Sequence, residues 1–392
     1  MLSSTTVDII KATVPALKIH ANAITEQFYP LLFKQYPEVL PYFNQSNQVQ
    51  GTQAKALANA VVAYGANIDA LGNLSEAVSI IVQKHCSLGV LPQQYDAVGD
   101  CLLQAIKIVL GDAATDEVIS AWAEAYGQLA KILIDAEESV YAETEKKPGG
   151  WRGEREFRLS RKEQESSVIT SFYFEPSDAG EIVEFEAGQY ITLLLNIEGQ
   201  ATRRNYSLSD APGTGYLRIS VKREGSGLVS SYLHDQLKLG DTLNLLAPCG
   251  DFVLRKTEKP LVLLTAGVGI TPAISMLNVE AGSGREIQFI HAALNSQVHA
   301  FKDHVQEMTD KHSTIKSLTL YSQPSSDCSG YVEGFINSEL IGKALAGQTD
   351  VDLYFLGPKA FMQSAVKIAK ALGIPQAQQY FEFFGPKQDL AA

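Results

Sequence analysis

ETEKKPGG, residues 143–150, divides this 392-residue chain into two texts that follow different periods. Proline has no amide proton to continue a helix and two glycines follow it, so a helix must stop here and a linker begins. Before it, from residue 1 to about 145, apolar residues recur at threes and fours with almost no alternation, which predicts an all-α domain. The last helix of that domain is predicted over 115–141. Thr115 stands where it can cap the start, Asp116 and Glu117 sit in the first turn, and Val118, Trp122, Leu129, Leu133 and Val140 form the apolar series.

Beyond the linker the period shortens. β-rich runs at 155–161, 168–174, 190–197, 206–208, 216–222 and 242–246, separated by turn residues, predict an antiparallel barrel or sandwich. From Pro260 onward LVLLTAG (261–267), REIQFIHAA (285–293), SLTLYSQP (317–324) and VDLYFLGP (351–358) alternate with helical stretches, the pattern of a parallel α/β sheet. The expected plan is a helical domain over 1–140, a linker over 141–151, a barrel over 152–257 and an α/β domain over 258–392, with no internal repeat.

Lys and Arg number 32 against 44 Asp and Glu, so the formal net charge is −12, which argues against general affinity for nucleic acid or anionic lipid. An anionic cofactor must then be held by local groups. The opening MLSSTTVDIIKATVP lacks the basic-then-apolar layout of a signal peptide, and the apolar runs are too short to span a bilayer. Cys86, Cys101, Cys249 and Cys328 are scattered, with no C-x-x-C pair for zinc and no C-x-x-C-H for covalent haem, as expected of reduced thiols in a cytoplasmic protein.

In residues 75–89, Val78, Ile81 or Val82, and His85 share one helical face, so His85 is aimed inward. Taken alone, an inward histidine reads first as a satisfied core residue. In company with QKH (83–85), QQY (93–95), FY (28–29) and YFNQSNQ (42–48), it makes this part resemble the globin half of flavohaemoglobins, and the resemblance extends through all three parts of the chain. It implies a non-covalent haem b with His85 as the proximal iron ligand, and Glu137 and Tyr95 as partners of its second ring nitrogen. Glu137 independently falls on the inward stripe of its helix, four residues after Leu133. The resemblance also places Tyr29 and Gln53 on the distal side, Phe43 against the macrocycle and Leu57 over the pocket, although Phe43 and Leu57 read equally as core. Lys84, beside the histidine, either sets the haem potential through its charge or is a solvated helix residue. Pro30, directly after Tyr29, can kink its helix.

The remainder resembles the ferredoxin-reductase superfamily. GQY (188–190) followed by RNYSL (204–208) implies an FAD site: Arg204 for the pyrophosphate, Tyr190 and Tyr206 at the ring, with Asn205 and Ser207 as hydrogen-bonding neighbours. In VKREGSGLVSSYLH (221–234), Gly227 and Ser230 open a helical stretch where free amides can hold phosphate, unless this is an ordinary glycine turn. LVLLTAGVGITP runs into Gly267, Val268, Gly269, Ile270, Thr271 and Pro272, a G-x-G-x-x-P that departs from the Rossmann fingerprint but matches the reductase loop for NADH or NADPH. Gly357 and Pro358 match its second loop, with Leu356 where relatives commonly carry cysteine. FEFFGP (381–386) resembles the tail that covers the flavin, bringing Glu382, Phe383, Phe384, Gly385 and Pro386 to it and making Phe384 a tuning residue; the same aromatics read alternatively as core anchors.

Nicotinamide gives up two electrons as hydride while haem iron takes one at a time, and a flavin can do both. The resemblance therefore implies a nitric oxide dioxygenase, with electrons passing from NAD(P)H through FAD to haem, and NO and O2 leaving as nitrate. It further implies a monomer with small-molecule partners and no membrane insertion. The residues alone leave open an oxygen or redox sensor or carrier whose reductase resets the haem, or a reductase of peroxide or other acceptors. The turn after SLTLYSQP offers serines and no arginine, which favours NADH.

Overall fold

The computed structural model describes residues 2–43, 52–326 and 328–384, without the side chains at 52–56 and 58. Among the described residues, five long helices form the N-terminal part: α1 (Ser4–Gln35), α2 (Thr52–Ala66), α3 (Ser75–Leu88), α4 (Pro92–Leu110) and α5 (Asp116–Lys146). Local chemistry sets their ends. Ser3 caps α1 by accepting from the Thr6 amide at 3.0 Å, α3 stops at Gly89 with φ at +69°, and Thr115 caps α5 by accepting from the Val118 amide at 3.3 Å.

One expectation needed adjusting. The last helix runs on to Lys146, so 141–146 is helical and the break falls at KPGG itself, because ETEK is a good helix former and only proline and glycine stop it. Pro15 and Pro30 both lie inside α1, which continues past them; both prolines are exposed, as are Lys11 and Glu26, whose carbonyls lose their helical donors, so water can take those carbonyls. The helices close on Ile10, Leu17, Phe28, Leu32, Ile106 and Trp122, all at most 2 % exposed. Burying each such side chain contributes about 1.5–3 kcal/mol.

By its contacts the chain divides into two units: Met1–Lys147 with Trp151–Gly153 and Leu194–Arg204, and the remainder. After the break come β1 (Arg155–Gln164), β2 (Ile169–Pro176), β3 (Tyr190–Ile197), β4 (Gln200–Ser207), β5 (Leu217–Lys222), α6 (Leu228–Asp235) and β6 (Thr242–Cys249). The strands form one sheet in the order β4-β3-β6-β1-β2-β5, antiparallel at β1/β2, β1/β6 and β2/β5, and a Leu208–Ile219 bridge joins its end strands as a barrel requires.

The last part alternates: β7 (Leu261–Ala266), α7 (Ile270–Glu280), β8 (Ile287–Ala293), α8 (Lys302–Lys311), β9 (Ile315–Tyr321), β10 (Val332–Glu333), α9 (Ser338–Ala344), β11 (Asp352–Leu356), α10 (Lys359–Leu372) and β12 (Gln379–Phe381). Its sheet is parallel throughout, in the order β10-β9-β8-β7-β11-β12, and β7 and β11 are buried along their whole length, which is why they read as largely apolar runs, with Thr265 and Asp352 as the exceptions. Strands β10 and β12 were not anticipated: one is two residues long, and the other is three residues that end at Phe381, where the aromatic tail expected over the flavin begins.

Candidate functional site

His85, Tyr95 and Glu137 come from α3, α4 and α5 and meet in one cluster. The His85 Nδ1 lies 2.8 Å from the Glu137 Oε1 and 2.8 Å from the Tyr95 hydroxyl, which donates to the same Oε1 at 2.5 Å. Tyr95 gives its single proton to Glu137, and the carboxylate only accepts, so Nδ1 must carry the hydrogen in this contact. The Nε2 lone pair is then exposed to a ligand, and it takes no partner among the described residues. Glu137 is 2 % exposed, the only acid among the buried residues of the helical part, and these two donors answer its desolvation. Burial, then the hydrogen bond to Glu137, raises the Tyr95 pKa, which keeps it a donor.

Tyr95 is itself held. The Tyr126 hydroxyl donates to the Tyr95 carbonyl at 2.7 Å, and Tyr126 reaches it because Gly99 has no side chain: a Cβ there would stand 2.5 Å from the Tyr126 ring. Neither residue was singled out from sequence, though a glycine inside a helical pattern is a signal of close packing.

Among the expected distal residues, Tyr29 packs edge-on against Phe43, centroids 5.8 Å apart, and Phe33 and Phe43 meet at 5.3 Å. Burial raises the Tyr29 pKa, and its hydroxyl takes no partner among the described residues, so it is a protonated donor available to a ligand. Leu57 lines a small apolar cleft with Leu17, Ile24, Val61, Leu102 and Ile106. The Gln53 side chain lies outside the described residues. Lys84 is exposed.

In the barrel, the Leu208 amide donates to the Gln189 carbonyl at 2.9 Å, which ties the GQY and RNYS motifs together. Tyr190 is 6 % and Ser207 8 % exposed, Asn205 and Tyr206 are half-buried, and the Arg204 guanidinium is steadied by the Thr202 hydroxyl and the Arg203 carbonyl, each at 2.8 Å. Gly227 caps α6, but the Ser230 hydroxyl is engaged within the turn, donating to the Gly227 carbonyl and accepting from the Glu224 amide, both at 3.1 Å.

The two glycine loops of the parallel sheet are brought together. Gly267, Val268 and Gly269 form a 3-10 turn leading into α7, with Ile270, Thr271 and Pro272 buried in its first turn. A Cβ on Gly269 would stand 2.5 Å from the Leu356 carbonyl oxygen and 2.9 Å from the Gly357 nitrogen, so the loop bearing Gly357 and Pro358 approaches as only glycine allows. The Leu356 side chain is 1 % exposed and packs in the core with Ile270 and Ala273. In the tail, Phe381 pairs with Phe355 across the strands, centroids 5.0 Å apart, and Phe383 packs on the core beneath. Phe381 remains 37 % and Phe384 56 % exposed, Glu382 is half-buried, and Gly385 and Pro386 lie outside the described residues.

Three family models match in the same order as the folded parts: Globin over residues 26–133, Oxidoreductase FAD-binding domain over 156–254 and Oxidoreductase NAD-binding domain over 263–367. A flavohemoprotein of Pseudomonas putida is 50 % identical over 98 % of this chain and 99 % of its own length. The chain belongs to the flavohaemoprotein family. Flavohaemoglobin from Malassezia yamatoensis, solved with bound FAD and haem, superposes with a TM-score of 0.83 at 27 % identity, over 98 % of this chain and all of that one. The FAD/NAD-binding domain of nitric oxide dioxygenase from Vibrio cholerae matches 60 % of this chain and all of its own, with a TM-score of 0.55 at 35 % identity.

This flavohaemoprotein is thus an oxidoreductase of a globin, an FAD domain and an NAD domain, an architecture for haem, FAD and a nicotinamide dinucleotide. The residues fit those groups. Among the described residues no cluster of three His, Cys, Asp or Glu side chains could enclose a metal, whereas one imidazole with a fixed tautomer and a free Nε2 suits a haem that supplies the remaining ligands. None of the four cysteines forms a disulfide, and no helix among the described residues is long and apolar enough to cross a membrane.

Proposed function

We propose that this flavohaemoprotein is a nitric oxide dioxygenase that converts two NO, two O2 and one NAD(P)H to two nitrate, NAD(P)+ and a proton. When bound, FAD accepts hydride from the dinucleotide and passes single electrons to haem, where iron brings dioxygen and nitric oxide together.

The chain's own part is to hold and tune. His85 would hold the haem iron through Nε2, and Glu137, accepting from Nδ1, would make the imidazole more basic, which favours oxygen activation over carriage. Tyr95 fixes the carboxylate and Tyr126 fixes Tyr95. Across the pocket Tyr29, kept protonated by burial, donates a hydrogen bond where negative charge gathers on a bound ligand, with Gln53 beside it. Phe43 and Leu57 exclude water, and Lys84 adds one nearby positive charge. Arg204, Tyr190, Asn205, Tyr206, Ser207, the Gly227–Ser230 turn and the tail from Glu382 to Pro386 hold FAD; the loops 267–272 and 357–358 hold the dinucleotide. The globin module ends near Lys147, the FAD module occupies 152–257 and the dinucleotide module 258–392. The protein acts as a monomer in the cytoplasm on small molecules.

The single observation that carries this reading is the His85–Glu137–Tyr95 cluster, since an oxygen carrier gains little from a strongly basic axial ligand. The test is a nitric oxide electrode trace in air with NADH and the purified chain, followed by a nitrate assay. Stoichiometric nitrate with accelerated NO loss is expected; decay no faster than with NADH alone would sink the assignment.

A further inference from the structure

Asp210, three residues beyond Ser207 in the flavin-side strand, belongs to none of the motifs above, yet it is the centre of a polar cluster that reaches the dinucleotide helix α7. Its Oδ1 accepts from the Asn278 amide nitrogen at 2.8 Å and its backbone carbonyl from the Ser275 hydroxyl at 2.6 Å, both on α7. Its Oδ2 accepts from the Tyr216 hydroxyl at 2.9 Å and pairs with Arg218 Nη1 at 3.3 Å. Arg218 in turn donates through Nη2 to the Ser209 carbonyl and through Nε to the Ser209 hydroxyl at 3.2 Å, and its guanidinium lies 5.2 Å from the Phe301 ring at the start of α8. Asn278 is oriented from its other side by His304 of α8, whose Nε2 is 2.6 Å from Oδ1. Because the Asn278 amide donates to Asp210, its Oδ1 is the acceptor and Nε2 carries the proton. Burial lowers the His304 pKa, consistent with that neutral form.

The Asp210 and Arg218 side chains are only 13 % and 10 % exposed, and each charge is met by directional hydrogen bonds. A buried ion pair is weak evidence for stability, but directional partners fix register in a way that apolar contact does not. What the cluster registers is specific. On one side the chain runs directly back through Leu208 to Ser207 and Tyr206; on the other, α7 begins immediately after the Gly267–Gly269 turn, with Ser275 and Asn278 farther along the same rigid helix.

We propose that Asp210 is a positioning residue for hydride transfer, which grips α7 through Asn278 and Ser275 and so holds the dinucleotide loop in register with the flavin strand. The inference rests on the proposed FAD and NAD(P)H reading. In the step it serves, the C4–H bond of the dihydronicotinamide breaks and an N5–H bond of the flavin forms with the same electron pair, so that the nicotinamide is oxidised and the flavin reduced. That transfer depends steeply on the approach of the two atoms; a misplacement of roughly 1 Å costs on the order of a hundredfold.

The test compares the full chain, loaded with haem and FAD, with its Asn278→Ala and Ser275→Ala variants. Anaerobic mixing with NADH reads the limiting rate of flavin bleaching and the NADH dissociation constant separately, and amide hydrogen exchange reads α7 and the 209–216 loop. In Asn278→Ala the limiting rate falls about tenfold, with FAD content and the NADH dissociation constant unchanged and exchange faster in both segments. Ser275→Ala, which removes a single hydroxyl and preserves the fold if Asn278→Ala does not, shows a smaller loss of the same kind. Flavin reduction at the parent rate in a folded variant, or a loss matched by loss of bound FAD, would overturn the inference. A parent chain that binds FAD and is not reduced by NADH would overturn the functional reading itself, and this inference with it.

Discussion

The proximal cluster and the dinucleotide loops are built from different materials. The first is made of side chains: an imidazole, a phenol and a carboxylate delivered by three helices from positions 10, 42 and 52 residues apart. The second is made of backbone, where Gly269 meets the Leu356 carbonyl and the Gly357 nitrogen because no side chain intervenes. A side-chain site tolerates any intervening sequence that preserves the helices, so its signature is diffuse. A backbone site depends on residues that lack a Cβ, so its signature is contiguous. The histidines show the same contrast: His85 has a carboxylate, while His291 and His299 stack at 4.5 Å in the parallel sheet domain, and their ring contacts are with hydroxyls, Thr265 and Tyr321.

That last difference gives the largest expected effect. Burial, with a smaller contribution from Lys302, lowers the His299 pKa to about 4, and burial lowers His291 well below its ordinary value. Both sites stay neutral when folded, so the unfolded chain binds more protons below about pH 6.5. Stability is complete above that pH and is lost as the pH falls toward 4, by about 3 kcal/mol for His299 alone. Melting curves across this range should flatten in His299→Gln relative to the parent; parallel curves would remove the contrast between the two kinds of histidine.

Next in size is Gly269→Val, whose side chain must force the two loops apart. NADH-driven flavin reduction should fall on the order of a hundredfold, with haem content unchanged. Loss of haem in the same variant would mean that the two sites are not independent. Glu137→Leu does the converse: nitric oxide consumption falls about 10- to 100-fold while flavin reduction by NADH keeps its parent rate, and Glu137→Gln, which retains an acceptor oxygen, loses less. Equal losses in the two variants would show that an acceptor oxygen without the negative charge does nothing for His85. The smallest effect belongs to Lys84→Ala, at most about twofold in turnover, because solvent screens a charge on an exposed side chain.

The sequence alone carried the three-part order of the fold, since periods of 3.6 and 2 and the Pro-Gly-Gly break are local properties of the chain. It also carried the glycine loops and the R-x-Y-S strand, because a backbone or strand-end site is written in consecutive residues. Tertiary structure decided the rest. That Tyr95 and Glu137 both reach His85, that Tyr126 needs Gly99, and that Asp210 grips Asn278 each depend on how separate elements pack, which no window of neighbours encodes. The aromatic tail marks the boundary: FEFF was visible as a motif, but only the register of β12 on β11 sets Phe381 against Phe355, since strand pairing, not composition, selects the face a ring occupies.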